Sequence, residues 1–182
     1  IRDSPELAFQ EKMAQNELCS LLERHGFSVK RGAGSLDTAF VAGWGSGRPI
    51  IGYMGEFDAL PGLSQEADCL TRKPVTEGGP GHGCGHHILG TAAVAAAVAN
   101  KEFIESNKIT GTVRFYGCPA EEGGAGKVLM AQAGLFDDCD AAVSWHPTDD
   151  NGIWSINFHA QQKVEFTFTG NEKKSANAKE AM

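Results

Sequence analysis

The chain has 182 residues, with 16 Lys+Arg against 23 Asp+Glu and a formal net charge of −7. That length suits about one domain, large enough to bury a core without disulfide or metal staples. The acidic balance excludes a nucleic-acid groove, which needs clustered Lys and Arg. The longest apolar run, 92–99, falls far short of the ~18 residues of a membrane span.

Residues 5–24 read as a helix, because Ala14, Leu18, Leu21 and Leu22 recur at helical spacing and Gly26 supplies the stop. Strand-like runs follow at 27–30, 38–42 and 50–54. Residues 55–86 have almost no periodicity, which in a compact domain marks a functional loop, disorder or a misreading. Residues 88–103 form an Ala-rich helix, 112–116 a strand, 127–133 a short helix stopped by Gly134, and 141–145 another strand. This helix–strand alternation predicts parallel pairing and an α/β sheet covered by helices. After Pro147 the pattern changes, and 153–159 and 164–169 alternate as strands with no helix between them. The expected division is therefore 1–152 and 153–182.

Glycine is abundant, with 23 residues, and it clusters at 43–47, 78–85 and 123–126, where sharp turns and close backbone approach are expected. The five Cys, at 19, 69, 84, 118 and 139, include no C-x-x-C pair. That pattern argues against a disulfide framework or zinc knuckle and points to a reducing compartment, the cytoplasm. The start at Ile1 shows neither a basic segment nor an apolar one of the signal-peptide kind. A chain that begins with Ile is expected to be a processed protein or a fragment.

Ligands of open α/β sheets bind beyond the carboxyl ends of the strands. Gly55-Glu56-Phe57-Asp58 follows the 50–54 strand, and Gly117-Cys118-Pro119-Ala120-Glu121-Glu122 follows the 112–116 strand. His146-Pro147 follows the 141–145 strand, and His82-Gly83-Cys84-Gly85-His86-His87 precedes the Ala-rich helix. Each residue has an ordinary structural explanation: a buried thiol, a helix-start histidine, a solvated acidic pair, a turn. Their shared placement at one edge favours a single site of carboxylates, imidazoles and a thiol, the donor types of divalent metals. Two such ions can activate water and polarise a carbonyl, while a neighbouring carboxylate moves the proton. Gly-Gly-Ala-Gly-Lys at 123–127 fails as a phosphate loop: Glu121 stands where the first Gly belongs and Val128 where Ser or Thr belongs.

Four segments resemble the M20 metallopeptidase family, specifically its amidohydrolase branch. They are Gly55-Glu-Phe-Asp-Ala-Leu-Pro-Gly-Leu-Ser64, Gly81-His-Gly-Cys-Gly-His86, Phe115-Tyr-Gly-Cys-Pro-Ala-Glu-Glu-Gly-Gly124 and Ser144-Trp-His-Pro147. The resemblance runs from about residue 6 to 178. It implies a partial α/β metallopeptidase catalytic domain, mainly parallel in its sheet, followed by the hinge and start of an α+β lid. It implies two divalent ions, Zn or Mn, with Cys84, His86, Glu122 and His146 as ligands, Glu121 as general base and Asp58 in support. The implied reaction cleaves the amide of p-aminobenzoyl-glutamate or a related N-acyl amino acid; aminoacylase or dipeptidase activity is the rival within enzymes. The implied assembly is a homodimer or heterodimer through the lid.

Three features depart from the family pattern. His87 stands where Asp or Asn is usual, so it either alters the ligand surroundings or adds a ligand. Asn177 falls where a substrate-binding His of the lid is usual. The rest of the lid and the last metal-ligand His have no counterpart before Met182, so a truncated, non-catalytic chain or a partner subunit is the rival class.

Overall fold

Glu6 decides where the first helix begins. Its two carboxylate oxygens accept the backbone N–H groups of Met13 and Ala14 at 3.0 and 2.9 Å, satisfying donors that a helix start leaves open. Phe9, at φ 62°, breaks the backbone just before it. The helix α1 therefore runs Lys12–Arg24 and not from residue 5. The computed structural model describes residues 1–153 and 164–168. The chain divides into two units, 1–149 and 150–182, and the elements below belong to the first.

Five strands form one sheet: β1 Ser28–Arg31, β2 Phe40–Ser46, β3 Ile50–Glu56, β4 Gly111–Cys118 and β5 Ala141–Val143, in the order β1-β2-β4-β3-β5. Where the sequence alternates helix with strand, pairing is parallel, β3 with both β4 and β5. The hairpin side, β1–β2 and β2–β4, is antiparallel. The helices are α2 His86–Asn107, α3 Glu121–Gly124 and α4 Gly126–Gln132. The expected α/β class is thus the observed one. Because β3 and β4 are parallel with Glu56 opposite Cys118, both strands deliver their carboxyl ends to one edge.

The expected strand 141–145 ends at Val143. Trp145 leaves the ladder because its indole N–H donates to the Leu89 carbonyl of α2 at 3.2 Å, which carries His146 toward the start of that helix. The long aperiodic stretch 55–86 is ordered by two isolated bridges, Leu7 with Ala59 and Leu60 with Gly81. Of the strands expected after Pro147, residues 154–159 and Thr169 lie outside the described residues, as does Asn177. Residues 164–168 form no strand, having no ladder partner among the described residues.

The core fills both faces of the sheet. On one, Leu18 and Leu22 of α1 and Val94 and Ala97 of α2 pack with Phe40, Phe57 and Phe115. On the other, Tyr116, Cys118 and Met130 pack with Ala33 and Ala39. The small residues of α2 explain its Ala-rich composition, since they let the helix lie close on β3. Gly90 shows this most sharply: a Cβ there would sit 2.6 Å from the Glu56 carbonyl oxygen. Gly90→Ala is expected to lower stability by about 1–3 kcal/mol through overpacking, read as a lower urea midpoint with an unchanged slope. An unaltered midpoint would show that the helix can retreat freely. Among the described residues no helix is long and apolar enough to cross a membrane.

Candidate metal centre

His86 is the first residue of α2 and is fully buried. The preceding Gly85 has φ 80°, a left-handed turn that glycine adopts without strain. The imidazole Nδ1–H donates to Asp58 Oδ1 at 3.0 Å. The other Asp58 oxygen accepts the Glu122 backbone N–H at 2.9 Å. One buried carboxylate thus orients the histidine and anchors the acidic turn opposite it. With Nδ1 committed, His86 Nε2 looks onto Glu56 Oε2 at 3.0 Å and onto Glu121 Oε2 and Glu122 Oε1, each at 3.9 Å.

The second imidazole arrives from the end of β5. His146 Nδ1–H donates to the Pro147 carbonyl at 2.9 Å, which turns Nε2 toward Cys84 Sγ at 3.2 Å. The His86 and His146 rings meet edge to face, 5.8 Å apart. Two sets of donor atoms lie within 4.8 Å of one another: Cys84, His86 and His146, and Glu56, His86 and Glu121.

The structure therefore brings together Asp58, Cys84, His86, Glu121, Glu122 and His146. His87 joins neither donor set and instead tilts against His82, with ring centroids 4.8 Å apart. Burial, and then the charge of Arg2, push His87 below the usual histidine range. Both rings line a cavity of about 660 Å³ with Arg2, Leu63 and Gly83. None of the converging donors lines it.

Three residues of this region were assigned no role from the sequence. Glu56 ends β3, and its second oxygen takes the Lys127 ammonium. Both fall in the segments that carry the motifs, and a strict reading of strand-end charges would have flagged Glu56. Glu11 is buried and accepts the Ala120 backbone N–H at 2.8 Å. It thereby holds Ala120 at φ 56° just before Glu121. Nothing in the local sequence connects residues 109 positions apart.

The electrostatics are those of crowded donors. Burial, then contact with Glu122 and the charges of Glu121 and Glu56, push the Cys84 thiol up to about 12. Burial and the charges of Glu56 and Glu122 raise Glu121. Burial also opposes ionisation of Glu56, but His86 and Lys127 outweigh it and hold that carboxyl at about 2. His86 Nε2 and Glu122 Oε1 are buried without a hydrogen-bond partner. Unpartnered polar atoms facing one another across a few ångströms fit a cation between them, and a set of thiol, imidazole and carboxylate donors fits borderline divalent ions.

With this geometry stand the likenesses to known proteins. The family model described as Peptidase family M20/M25/M40 matches residues 52–182, and the chain belongs to that family. Among individual relatives, it is 48% identical to a subunit of the p-aminobenzoyl-glutamate hydrolase of Escherichia coli, over 98% of this chain and 37% of that protein. It is 31% identical to Xaa-Arg dipeptidase of Mus musculus, over 85% of this chain and 35% of that one. Its fold matches the Bacillus subtilis YxeP protein, a dinuclear metal-binding M20 peptidase. That match has a TM-score of 0.65 and 25% identity, covering 82% of this chain and 40% of the other. The chain spans under two fifths of the length of these curated relatives.

Proposed function

We propose that the protein is a metal-dependent amidohydrolase that cleaves the amide of p-aminobenzoyl-glutamate or a related N-acyl amino acid. The observation that carries this is the convergence of Cys84, His86, His146 and the Glu121–Glu122 pair around orphaned donor atoms. Cys84, His86, Glu122 and His146 are the residues that would hold two divalent ions, Zn or Mn. Such ions supply Lewis acidity to the scissile carbonyl and acidify a water molecule. Asp58 keeps the His86 proton on Nδ1 and leaves Nε2 as a donor.

Glu121 is the general base. Its side chain is 43% exposed, so it reaches both solvent and the cluster. Its raised pKa brings it nearer the range in which a carboxylate takes a proton from water and returns it to a leaving amine. Residues 1–152 are the N-terminal part of the catalytic domain, and 153–182 are the hinge and start of the lid. Likeness to a protein that is itself one subunit of an enzyme supports assembly with a second chain, the same or different. Five free cysteines support a reducing compartment, the cytoplasm.

Purified protein is expected to carry about two equivalents of Zn or Mn by mass spectrometry and to release p-aminobenzoate from p-aminobenzoyl-glutamate. Chelator should abolish the release, and added ion should restore it. Metal-free protein that takes up no ion would end this reading. Release from dipeptides alone would replace the substrate class but keep the mechanism.

A further inference from the structure

The four donors named above leave one contact unexplained. Asp58 takes the Nδ1–H of His86, so the neutral ring that a metal ion requires presents its Nε2 lone pair. That lone pair faces Glu56 Oε2 at 3.0 Å, yet the two are not aligned as a hydrogen bond, and Nε2 has no hydrogen-bond partner. Two lone pairs at that distance repel unless a cation is shared between them: a ring proton in the ion-free chain, where burial is outweighed by Asp58 and Glu56, which raise His86, or a metal ion that replaces that proton. Donor atoms bound to one ion at about 2.1 Å are themselves about 3.0–3.4 Å apart. The observed spacing already suits two ligands on one ion, so a metal ion can replace the ring proton without moving either side chain.

Glu56 is also built to stay there. It is 7% exposed, and its backbone is clamped from above by Gly90, whose missing Cβ allows the approach. Its Oε1 is taken by the Lys127 ammonium, at the start of α4. A buried carboxylate needs such pairing. The ammonium leaves only Oε2 to face the cluster.

Resting on the amidohydrolase reading, we infer that Glu56 is an additional metal ligand. It binds through Oε2 to the ion held by His86, and Lys127 is the positioning residue that keeps it monodentate. Charge supports the assignment. Glu56, Asp58, Glu121, Glu122 and a Cys84 thiolate bring five negative charges, which two divalent ions and one ammonium neutralise. Without Lys127 the centre would carry an uncompensated buried charge.

The test is titration of the metal-free protein with Co²⁺, following its visible absorption, and with Zn²⁺ by calorimetry. Wild type, Glu56→Gln and the double variant Glu56→Gln/Lys127→Met are compared. The double variant removes the ion pair together and leaves no orphaned charge, and far-UV circular dichroism checks its fold. Wild type should take two ions. Both variants should bind one of the two about 10-fold or more weakly, with an altered Co²⁺ spectrum for that site. Lys127→Met alone should keep both ions but shift the Co²⁺ bands toward higher coordination, a change that a merely structural lysine would not produce. Variants that hold both ions with wild-type affinity and an unchanged spectrum would overturn the assignment alone. A wild-type chain that takes up no ion would overturn it together with the reading beneath it.

Discussion

Glu121→Gln is expected to lower turnover of the amide substrate by about 10²–10⁴-fold, the usual contribution of a positioned general base. Metal content should stay near its wild-type value. The expectation follows from where the two acids of the α3 turn sit. Both carboxylates lie 3.9 Å from His86 Nε2, but their exposure differs, at 43% for Glu121 and 19% for Glu122. The more open one can meet water and substrate, while the more enclosed one carries the orphaned oxygen. Glutamine keeps the size and removes the proton acceptor. Comparing Glu121→Gln with Glu122→Gln separates the roles: the first should lose rate with metal retained, the second should lose metal. Equal metal loss in both, or an undiminished rate in Glu121→Gln, would reverse or remove the assignment.

Asp58→Ala should be the most damaging single change to the fold around the site. Asp58 is 1% exposed, and both its oxygens are used, by His86 Nδ1–H and by the Glu122 N–H. Truncation orphans two buried donors, at about 1–3 kcal/mol each. A total loss of roughly 2–5 kcal/mol is a large share of an ordinary domain's stability. Asp58→Asn is the gentler version. An amide can still accept one of the two bonds but offers a donor where the other oxygen stood, so the His86 tautomer and the acidic turn can no longer both be satisfied. Its Zn²⁺ affinity should fall about 10–100-fold, the usual effect of losing the group behind a ligating histidine. Urea unfolding reads the first variant and Zn²⁺ titration the second. Asp58→Asn with undiminished affinity would mean that His86 needs no such support.

The convergence of the candidate donors was legible in the sequence wherever chemistry and position coincide. Asp58, Cys84, His86, Glu121, Glu122 and His146 all flank strand ends or a helix start, and the parallel pairing of β3 with β4 and β5 gathers those ends. Local patterns misled where a side chain overrode them. Residues 5–11 have helical composition, but the Glu6 carboxylate caps the helix from outside. Residues 144 and 145 continue an apolar strand, but the Trp145 indole is drawn to Leu89. The antiparallel side of the sheet left no mark in the helix–strand alternation. Glu11 and Lys127 were hidden for a different reason. Each matters through one contact, to Ala120 and to Glu56, and a lone charged residue on or just before a helix reads as a solvated face until the partner is known.

The donors around His86 come from four separated stretches between Glu56 and His146. In the unfolded chain they are scattered along a coil, and no chelate exists. A cation held among them would act as a knot in the polymer, closing several long loops at once, and loop closure grows only slowly more costly with length. Because only the native chain offers the knot, ion supply would draw the population toward the native state by mass action. A cell short of that ion would then hold a looser chain, more open to proteases, and not merely an idle one.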